Sequence, residues 1–272
     1  MTKNLDQEGL SSIAQNYDVF YIDLWGVVHN GISLNKEAIN VLNQLKKNNK
    51  EYVLLTNAPR PSEIVKVFLE KMGLNESMRS HVFSSGEAAL NFLKNNLSSQ
   101  KFYHVGPPRD FDLFKIFEKN KTKNIDECDY FLCTGLFDEY MEDLNYYKNL
   151  FQDKTNKKMI CTNPDLIVDR GNKRELCAGS VAMVFEKMGG KVIYFGKPYP
   201  EVYKQSINSK NKKVLCIGDN LNTDIKGANL LNYDSLLVIG GIHKNEIKEN
   251  SLSQVSKNYE AICNFSQSEL KW

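Results

Sequence analysis

Polar residues that could carry out chemistry follow four apolar, strand-like runs of the sequence. The segments are IDLWG (22–26), LLTNAPR (54–60), YFGKPYP (194–200) and LCIGDNLNTDIKG (215–227). Together they supply Asp23, Thr56, Asn57, Lys197, Asp219 and Asp224. Acidic side chains hold hard divalent cations such as magnesium, a hydroxyl and backbone amides bind phosphate oxygens, and a lysine offsets charge on a transferred group. The set therefore fits phosphoryl transfer.

Each of these residues also has a plain structural explanation. An aspartate after a strand is often a helix cap, and Thr56-Asn57 before Pro59 is typical of a turn. Lys197 could be an ordinary surface lysine. Taken together, their order and their shared position at strand ends favour one site. Asp23 would then serve as nucleophile, as metal ligand, or as both through an aspartyl-phosphate intermediate.

Short apolar runs alternate with amphipathic ones along most of the chain, as in the βαβ units of a parallel sheet. Ligands of such sheets bind at the carboxyl ends of the strands, where the four polar segments would meet. Helices are predicted over 36–47, from Pro61 to Gly73, and from about Ala178 to Gly189. The predicted strands are 17–23, 51–56, 101–105, 129–133, 158–162, 191–195, 213–218 and 234–239.

The middle of the chain, residues 84–189, differs in character from the rest. It contains strands and helices of its own and separates two groups of polar strand ends, as an inserted domain would. The predicted fold is therefore α/β, with a Rossmann-like parallel sheet core formed by 1–83 and 190–272 and an inserted α/β domain between them.

Composition limits the classes of partner. Lys+Arg 35 against Asp+Glu 33 give a net charge of +2, which argues against nucleic-acid binding. The N-terminal stretch MTKNLDQEGLSSIAQN has no apolar signal core, and no run approaches the ~18 apolar residues of a membrane span. The six cysteines form no CxxC pair, so free thiols in a reducing cytoplasm are expected. The sequence is compatible with an oligomer but does not indicate its size.

The four polar segments, in this order, resemble the four motifs of the haloacid dehalogenase superfamily, whose members are mostly magnesium-dependent phosphatases with an aspartate nucleophile. The closer resemblance is to class IIA, the nucleotide monophosphatase-like and p-nitrophenyl phosphatase-like proteins. It is carried by CTNPDLIVDRG (161–171), CAGSVAMVFEKMGGKVIYFGKPYPEVY (177–203) and GDNLNTDIKGANLLNYDSLLVIGGI (218–242). The resemblance implies that 84–189 is the large α/β cap of this subclass.

For the metal, the resemblance implies a magnesium site made by four residues. Asp23 would be both the nucleophile and a ligand, and Trp25 would contribute its main-chain carbonyl oxygen. Asp219 would bind the ion directly, and Asp224 would support the water molecules around it.

For the substrate, the resemblance implies a phosphate site and a leaving-group site. Thr56 would bind the phosphoryl group with help from the main chain at Asn57, and Lys197 would neutralise its charge. In the cap, the positions that approach the leaving group in relatives are Asn163, Pro164, Asp165 and the loop Cys177–Ser180, with Ser180 as the candidate substrate residue of that loop.

Trp25 departs from the superfamily pattern, in which this position is a second aspartate that protonates the leaving oxygen and later activates water. Tryptophan does neither, and general acid–base help is typically worth ~10²–10⁴-fold. His29 in the same loop, or Asp165 in the cap, is a candidate replacement, although either could be an ordinary structural residue. The Trp25 ring could stack on a flat substrate or fill the space left by the aspartate.

The leading hypothesis is a cytoplasmic, magnesium-dependent hydrolase that acts on a small phosphorylated metabolite through an aspartyl-phosphate on Asp23, with low activity because the acid is missing. The alternative is a degenerate phosphatase homologue that binds magnesium and a phosphorylated ligand without turnover. Attack on carbon, as in dehalogenation, also dispenses with the acid, but the acidic pair Asp219 and Asp224 favours a metal and phosphate. A purely structural protein would not need all four polar strand ends.

Overall fold

The computed structural model describes residues 2–170 and 173–272. The described residues form two compact units. The first unit contains 2–56, 66–83 and 197–272, and the second contains 57–65 and the described part of 84–196. The assignment of 84–189 as a cap, and of the remainder as the core, stays a prediction.

The described residues form thirteen strands, eight of which correspond to the predicted ones. They are β1 (Lys3–Asn4), β2 (Val19–Ile22), β3 (Glu51–Thr56), β4 (Val82–Ser84), β5 (Phe102–Val105), β6 (Tyr130–Cys133), β7 (Lys158–Cys161), β8 (Ile167–Arg170), β9 (Lys173–Leu176), β10 (Lys191–Tyr194), β11 (Val214–Gly218), β12 (Asp234–Val238) and β13 (Phe265–Gln267).

The helices lie between these strands. They are α1 (Ser11–Ala14), α2 (Lys36–Lys47), α3 (Ser62–Lys71), α4 (Glu76–Arg79), α5 (Ser85–Asn96), α6 (Pro108–Phe111), α7 (Leu144–Leu150), α8 (Ala178–Lys187), α9 (Pro200–Ser206), α10 (Lys226–Leu230), α11 (Lys244–Asn250) and α12 (Leu252–Asn258). Four further segments of three to nine residues are 3₁₀-helical or π-helical, and one of them is the π-helical turn Leu221–Ile225.

The first unit is built on a seven-stranded sheet in the order β1-β13-β12-β11-β2-β3-β4. Strand β2 lies between β3 and β11 and is parallel to both, with Ile22 opposite Leu54 on one side and Ile217 on the other. The strand order reverses at β2, and in open α/β sheets such a reversal leaves a crevice at the carboxyl ends of the strands. At one edge, β1 pairs in parallel with β13, so the two ends of the chain are neighbours.

Helix α2 illustrates why the sequence folds as it does in this unit. Its apolar face, Ala38, Val41, Leu42 and Leu45, is buried, and the Asn35 side chain accepts hydrogen bonds from main-chain N–H groups in the first turn. The predicted bounds 36–47 agree with the structure.

The second unit has a four-stranded parallel sheet in the order β10-β7-β6-β5. Its own apolar core includes Phe131, Phe151 and Phe185, which pack edge to face or tilted at 5.1–5.5 Å between ring centroids. The antiparallel pairing of β8 with β9 was not predicted. The second unit therefore has a core independent of the first, as expected for a domain.

The predicted α/β fold with a parallel Rossmann-like sheet is confirmed. No helix in the described part of the chain is both long enough and apolar enough to cross a membrane. All six cysteines are buried free thiols. The expected cytoplasmic location stays a prediction.

Candidate functional site

Three aspartates meet at the carboxyl ends of β2 and β11 in the first unit. One carboxylate oxygen from each of Asp23, Asp219 and Asp224 lies within 4.8 Å of the others, and all three residues are buried. Asp23 directly follows β2, Asp219 directly follows β11, and Asp224 lies in the π-helical turn. The sheet topology thus brings together acidic residues that are some 200 positions apart in the sequence, as predicted from their strand ends.

Lys197 contacts two members of this acidic group. Its Nζ atom donates a hydrogen bond of 2.6 Å to Asp224 Oδ1 and also contacts the carboxylate of Asp23. Burial of the 3 % exposed residue disfavours the ammonium, but the negative charges of Asp224 and Asp23 outweigh burial and raise the pKa of Lys197. Lys197 is therefore charged at neutral pH.

Burial sets the direction of the pKa shift of Asp23, unlike that of Lys197. Burial raises the pKa of Asp23 well above its usual value, and the charges of Asp224 and Asp219 act in the same direction, whereas Lys197 opposes them. Asp23 shares one ammonium with Asp224, so the cation is not its alone. The three grouped carboxylates offer the hard oxygen ligands that a divalent cation such as magnesium prefers.

Asp219 is held closely by main chain on two sides. The Ile242 N–H donates to Asp219 Oδ2 at 2.9 Å. A Cβ atom at Gly26 or at Gly241 would lie 2.0 Å from the same oxygen, which is far inside van der Waals contact. These two glycines therefore allow the carboxylate to occupy its position.

Asp224 has a comparable fit against the end of β11. Its Oδ2 accepts a hydrogen bond of 3.2 Å from the Asn220 N–H, and a Cβ atom at Gly218 would lie 1.9 Å from Asp224 Cγ. The Asn220 side chain accepts from the Asn222 N–H and begins the π-helical turn. Gly218 thus makes room for the aspartate six positions later.

The predicted phosphate-binding pair, Thr56 and Asn57, follows β3. Thr56 is buried at the end of that strand in the first unit. Asn57 belongs to the second unit, where its Nδ2 donates to Asp165 Oδ1 at 2.9 Å. The Asp165 N–H in turn donates to Asn163 Oδ1 at 2.9 Å, so three of the predicted substrate residues form one hydrogen-bonded group.

Ser180, another predicted substrate residue, has a structural partner. It is buried in the first turn of α8, and its hydroxyl donates a hydrogen bond of 2.6 Å to the main-chain oxygen of Leu166. This bond supports the loop after β7, which carries Asn163 and Asp165. A role in shaping that loop is what the geometry shows for Ser180.

Trp25 is half-buried and packs against its own loop. Its ring centroid lies 5.1 Å from that of His29 in an edge-to-face arrangement, and a Cβ atom at Gly31 would lie 2.6 Å from Trp25 Cζ2. Gly31 has a φ of +86°, which also favours glycine. The ring therefore rests on Gly31, while part of it remains accessible.

His29 is poorly suited to replace the missing acid. It is buried, and its Nδ1 accepts a hydrogen bond of 3.0 Å from the Gly31 N–H, which places the proton of the neutral ring on Nε2. Burial lowers the pKa of His29 to about 4. The imidazole is neutral at pH 7 and holds the loop under Trp25, so the candidate role in protonating a leaving group loses its support.

Two polar contacts near these segments were not predicted. In the second unit Arg60 Nη2 lies 3.4 Å from Asp110 Oδ1, and Asp110 is buried. In the first unit His243 Nε2 accepts a hydrogen bond from the Leu221 N–H. The spacing of His243 and Glu246, three residues apart at the start of α11, predicts only their mutual contact and gives no signal for the contact with Leu221.

Two known protein families match the two parts of the chain that contain the acidic residues and Lys197. The family described as haloacid dehalogenase-like hydrolase matches residues 20–118, which include Asp23 and Thr56. A second, HAD-hydrolase-like, family matches residues 194–260, which include Lys197, Asp219 and Asp224. The chain belongs to the haloacid dehalogenase-like hydrolases.

Two relatives of this hydrolase match it over different lengths. Dihydroxyacetone phosphatase from Corynebacterium glutamicum is 26% identical over 232 residues, which is 82% of this chain and 81% of the relative. Ribonucleotide monophosphatase NagD from Escherichia coli is 30% identical over 89 residues, covering 31% of this chain and 34% of the relative.

Solved structures resemble the hydrolase along almost the whole chain. A haloacid dehalogenase-like family hydrolase from Brucella suis has a TM-score of 0.83 at 28% identity and covers 97% of this chain and 99% of its own. A p-nitrophenyl phosphatase from Archaeoglobus fulgidus has a TM-score of 0.72 at 18% identity, covering 93% and 97% of the two chains, and shows the shared fold. The predicted resemblance to this superfamily and to its class IIA is confirmed, as is an enzyme of phosphatase type.

Proposed function

We propose that this hydrolase releases phosphate from a small phosphorylated metabolite, with Asp23 as nucleophile and Mg²⁺ as cofactor. The observation that carries the proposal is the buried group of Asp23, Asp219 and Asp224 with Lys197 bound between two of them. The names of the relatives support the substrate class, since they include a dihydroxyacetone phosphatase and a ribonucleotide monophosphatase.

The acidic residues fit the proposed cofactor. Asp23 and Asp219 would hold Mg²⁺ through their carboxylates, the main-chain oxygen of Trp25 would complete the protein ligands, and Asp224 would hold water around the ion. When bound, the ion would stabilise negative charge on the phosphate oxygens. The fixed position of Asp219 between Gly26 and Gly241 supports a site whose geometry is set before the ion binds.

The chain's own residues would then carry two displacements at phosphorus. A carboxylate oxygen of Asp23 forms a bond to phosphorus, the bond to the leaving oxygen breaks, and that oxygen keeps the electron pair and takes a proton from water. A water molecule next attacks phosphorus, gives a proton to the solvent, and breaks the bond to Asp23, which releases phosphate and restores the carboxylate. Lys197 offsets the charge that gathers during both steps.

The remaining assignments concern how the substrate is held. Thr56 would bind the phosphoryl group through its hydroxyl, together with the main chain at Asn57. Asn163, Asp165 and Ser180 would contribute to recognition of the leaving group through the loop that they build. The hydrogen bond between Asn57 and Asp165 supports an orienting role for Asp165 rather than a role in proton transfer.

Trp25 sets the expected preference for substrates. General acid catalysis is worth ~10²–10⁴-fold, and neither Trp25 nor the neutral His29 supplies it. Leaving groups of low pKa need no proton in the first displacement. We therefore expect p-nitrophenyl phosphate and other phosphates with acidic leaving groups to be hydrolysed much faster than alkyl phosphates.

A second candidate function is binding without turnover. It is favoured by the same observation, because the residues proposed to bind metal and phosphate are retained while the acid–base residue is not. Attack on carbon, which also needs no acid, is less consistent with three carboxylates gathered within 4.8 Å.

The deciding experiment measures phosphate release from a broad panel of phosphometabolites and from p-nitrophenyl phosphate, with and without Mg²⁺. Release that depends on Mg²⁺ and is lost in Asp23→Asn would support the proposed hydrolase. Release that survives Asp23→Asn would rule out the assigned nucleophile. Saturable binding of the same compounds without any release would favour the second candidate.

A further inference from the structure

His243 lies buried directly before α11, beside the loop that carries Asp219 and Asp224. Its Nε2 accepts a hydrogen bond of 3.2 Å from the Leu221 N–H, and its Nδ1 lies 3.1 Å from Glu246 Oε2. The hydroxyl of Tyr259 donates to the same Glu246 oxygen at 3.1 Å. These hydrogen bonds run in a continuous chain from Tyr259 through Glu246 and His243 to the main chain of the acidic loop, residues 219–224.

These partners require one form of the imidazole. The Leu221 N–H is a donor, so Nε2 must carry a lone pair, and the Glu246 carboxylate is an acceptor, so Nδ1 must carry the proton. Both contacts are satisfied by the same neutral tautomer. The Tyr259 ring, 4.7 Å away between centroids and edge to face, fixes the plane of the imidazole as well.

Leu221 is a critical point in the backbone of the site. It is fully buried and opens the π-helical turn Leu221–Ile225, between Asp219 two residues before it and Asp224 three residues after it. An N–H at the start of a helical turn has no acceptor within that turn, and a buried N–H without a partner is costly. The acceptor that His243 provides therefore fixes the loop in its observed path.

The neighbouring residues of His243 act on the same loop. Gly241 leaves room for Asp219 Oδ2, and the Ile242 N–H donates to that oxygen at 2.9 Å. Residues 241–243 thus hold the loop 219–224 at two points. The Ile242 N–H binds the Asp219 carboxylate, and the His243 imidazole binds the Leu221 N–H.

We propose that His243, oriented by Glu246 and Tyr259, is a positioning residue of the acidic site that sets the separation of Asp219 and Asp224 by holding the Leu221 N–H. The inference rests on the proposed function, because it assigns a purpose to the spacing of residues proposed to hold Mg²⁺. The proposal assigns roles at the site to His243, Glu246 and Tyr259, which would not touch the ion or the substrate themselves. Partners of this kind commonly change metal affinity by ~10–100-fold when they are removed.

The test compares His243→Phe, which keeps a ring but removes the acceptor, with His243→Gln, whose side-chain oxygen can reach the same N–H. Hydrogen exchange at the Leu221 amide, measured without metal, should be faster in His243→Phe and near the unaltered rate in His243→Gln. Calorimetric titration with Mg²⁺ should give a dissociation constant ~10-fold larger for His243→Phe, with substantial recovery in His243→Gln.

Glu246→Ala provides a second variant, since Glu246 is partly exposed and its loss leaves the core intact. We expect weaker Mg²⁺ binding in Glu246→Ala but not in Glu249→Ala, which removes the same charge from an exposed position of α11. Equal Mg²⁺ affinity in His243→Phe, Glu246→Ala and the unaltered protein would overturn the positioning role and leave the proposed function intact. Absence of Mg²⁺ binding by the unaltered protein would instead overturn both.

Discussion

Lys197 donates a hydrogen bond of 2.6 Å to Asp224 at a point where the side chain of each is only 4 % exposed. The same ammonium contacts Asp23, so one buried cation connects the proposed nucleophile with a residue proposed to support the metal. Lys197 therefore has a structural task, the neutralisation of buried carboxylates, in addition to its proposed task during phosphoryl transfer.

Removal of that cation should destabilise the first unit. In Lys197→Met the carboxylates of Asp23 and Asp224 remain buried without their ammonium, and breaking a buried ion pair in this way costs about 3–5 kcal/mol. Urea unfolding in the presence of a chelator would measure the loss, and added Mg²⁺ should restore part of it. The control is Lys204→Met, whose exposed pair with Glu201 should contribute less than about 1 kcal/mol. Equal stability of the two variants would contradict the role assigned to Lys197.

The buried His29 predicts a loss of stability in weak acid. Its pKa is lowered to about 4 by burial, against about 6.5 in an unfolded chain. Between these values the unfolded state binds a proton that the folded state does not, so the free energy of unfolding falls as the pH falls.

The size of the His29 effect can be isolated with a variant. At pH 5 the linkage should cost about 2 kcal/mol relative to pH 7. His29→Gln should show a smaller loss by that amount in urea unfolding at the two pH values. The pKa of His104 is lowered to about 3 by burial and by Lys121, so His104 also lowers the free energy of unfolding in weak acid. This contribution of His104 should be unchanged in His29→Gln. An unchanged pH dependence in His29→Gln would show that His29 is not the group responsible.

Trp25→Asp should restore the missing acid–base group. We expect little change with p-nitrophenyl phosphate, whose leaving group needs no proton, and a gain of at least ~10-fold with glycerol phosphate, within the ~10²–10⁴-fold range of general acid catalysis. The measurement is the ratio of kcat/KM for the two substrates. Trp25→Phe, which keeps an aromatic ring over Gly31, serves as the control, and the same ratio in all three proteins would argue that position 25 has no access to the leaving group.

Two substitutions at Asp165 separate an orienting role from a role in proton transfer. Asp165→Asn keeps an oxygen that can accept from the Asn57 amide, so kcat/KM should fall less than about 3-fold, whereas Asp165→Ala removes the acceptor and should cost about 2–10-fold, the equivalent of one hydrogen bond. If Asp165 were the acid or base, both variants would lose ~10²-fold or more. Steady-state kinetics with glycerol phosphate, whose leaving group does need a proton, distinguish the two patterns.

Much of this fold could be predicted because its strands are short, apolar and followed by polar residues. Strand ends at Asp23 and Asp219 predicted where the acidic group lies, since parallel strands bring their carboxyl ends to one edge. The outer strands β1, β4 and β13 have only two or three residues each, too few to show a pattern of alternation.

Other features depend on tertiary contacts that leave no local signal. Asn57 and Asp165 are 108 positions apart, and nothing in either segment indicates their hydrogen bond. The neutral state of His29 follows from burial under Trp25 and beside Phe68, which a loop sequence does not reveal. The proposed role of His243 likewise depends on its contact with the Leu221 N–H, which the sequence does not indicate.

The pairing of β1 with β13 has a consequence for how freely the chain could be rearranged. Lys3 lies opposite Phe265, and the Leu10 N–H donates to the Lys271 oxygen at 3.0 Å. A short linker could join these two ends, and new ends could be opened in an exposed loop elsewhere, as circular permutation exploits. Such a permutant could present Lys197, Asp219 and Asp224 ahead of Asp23 in its gene. The order of these residues along the chain would then differ, whereas their proximity in the fold would be kept.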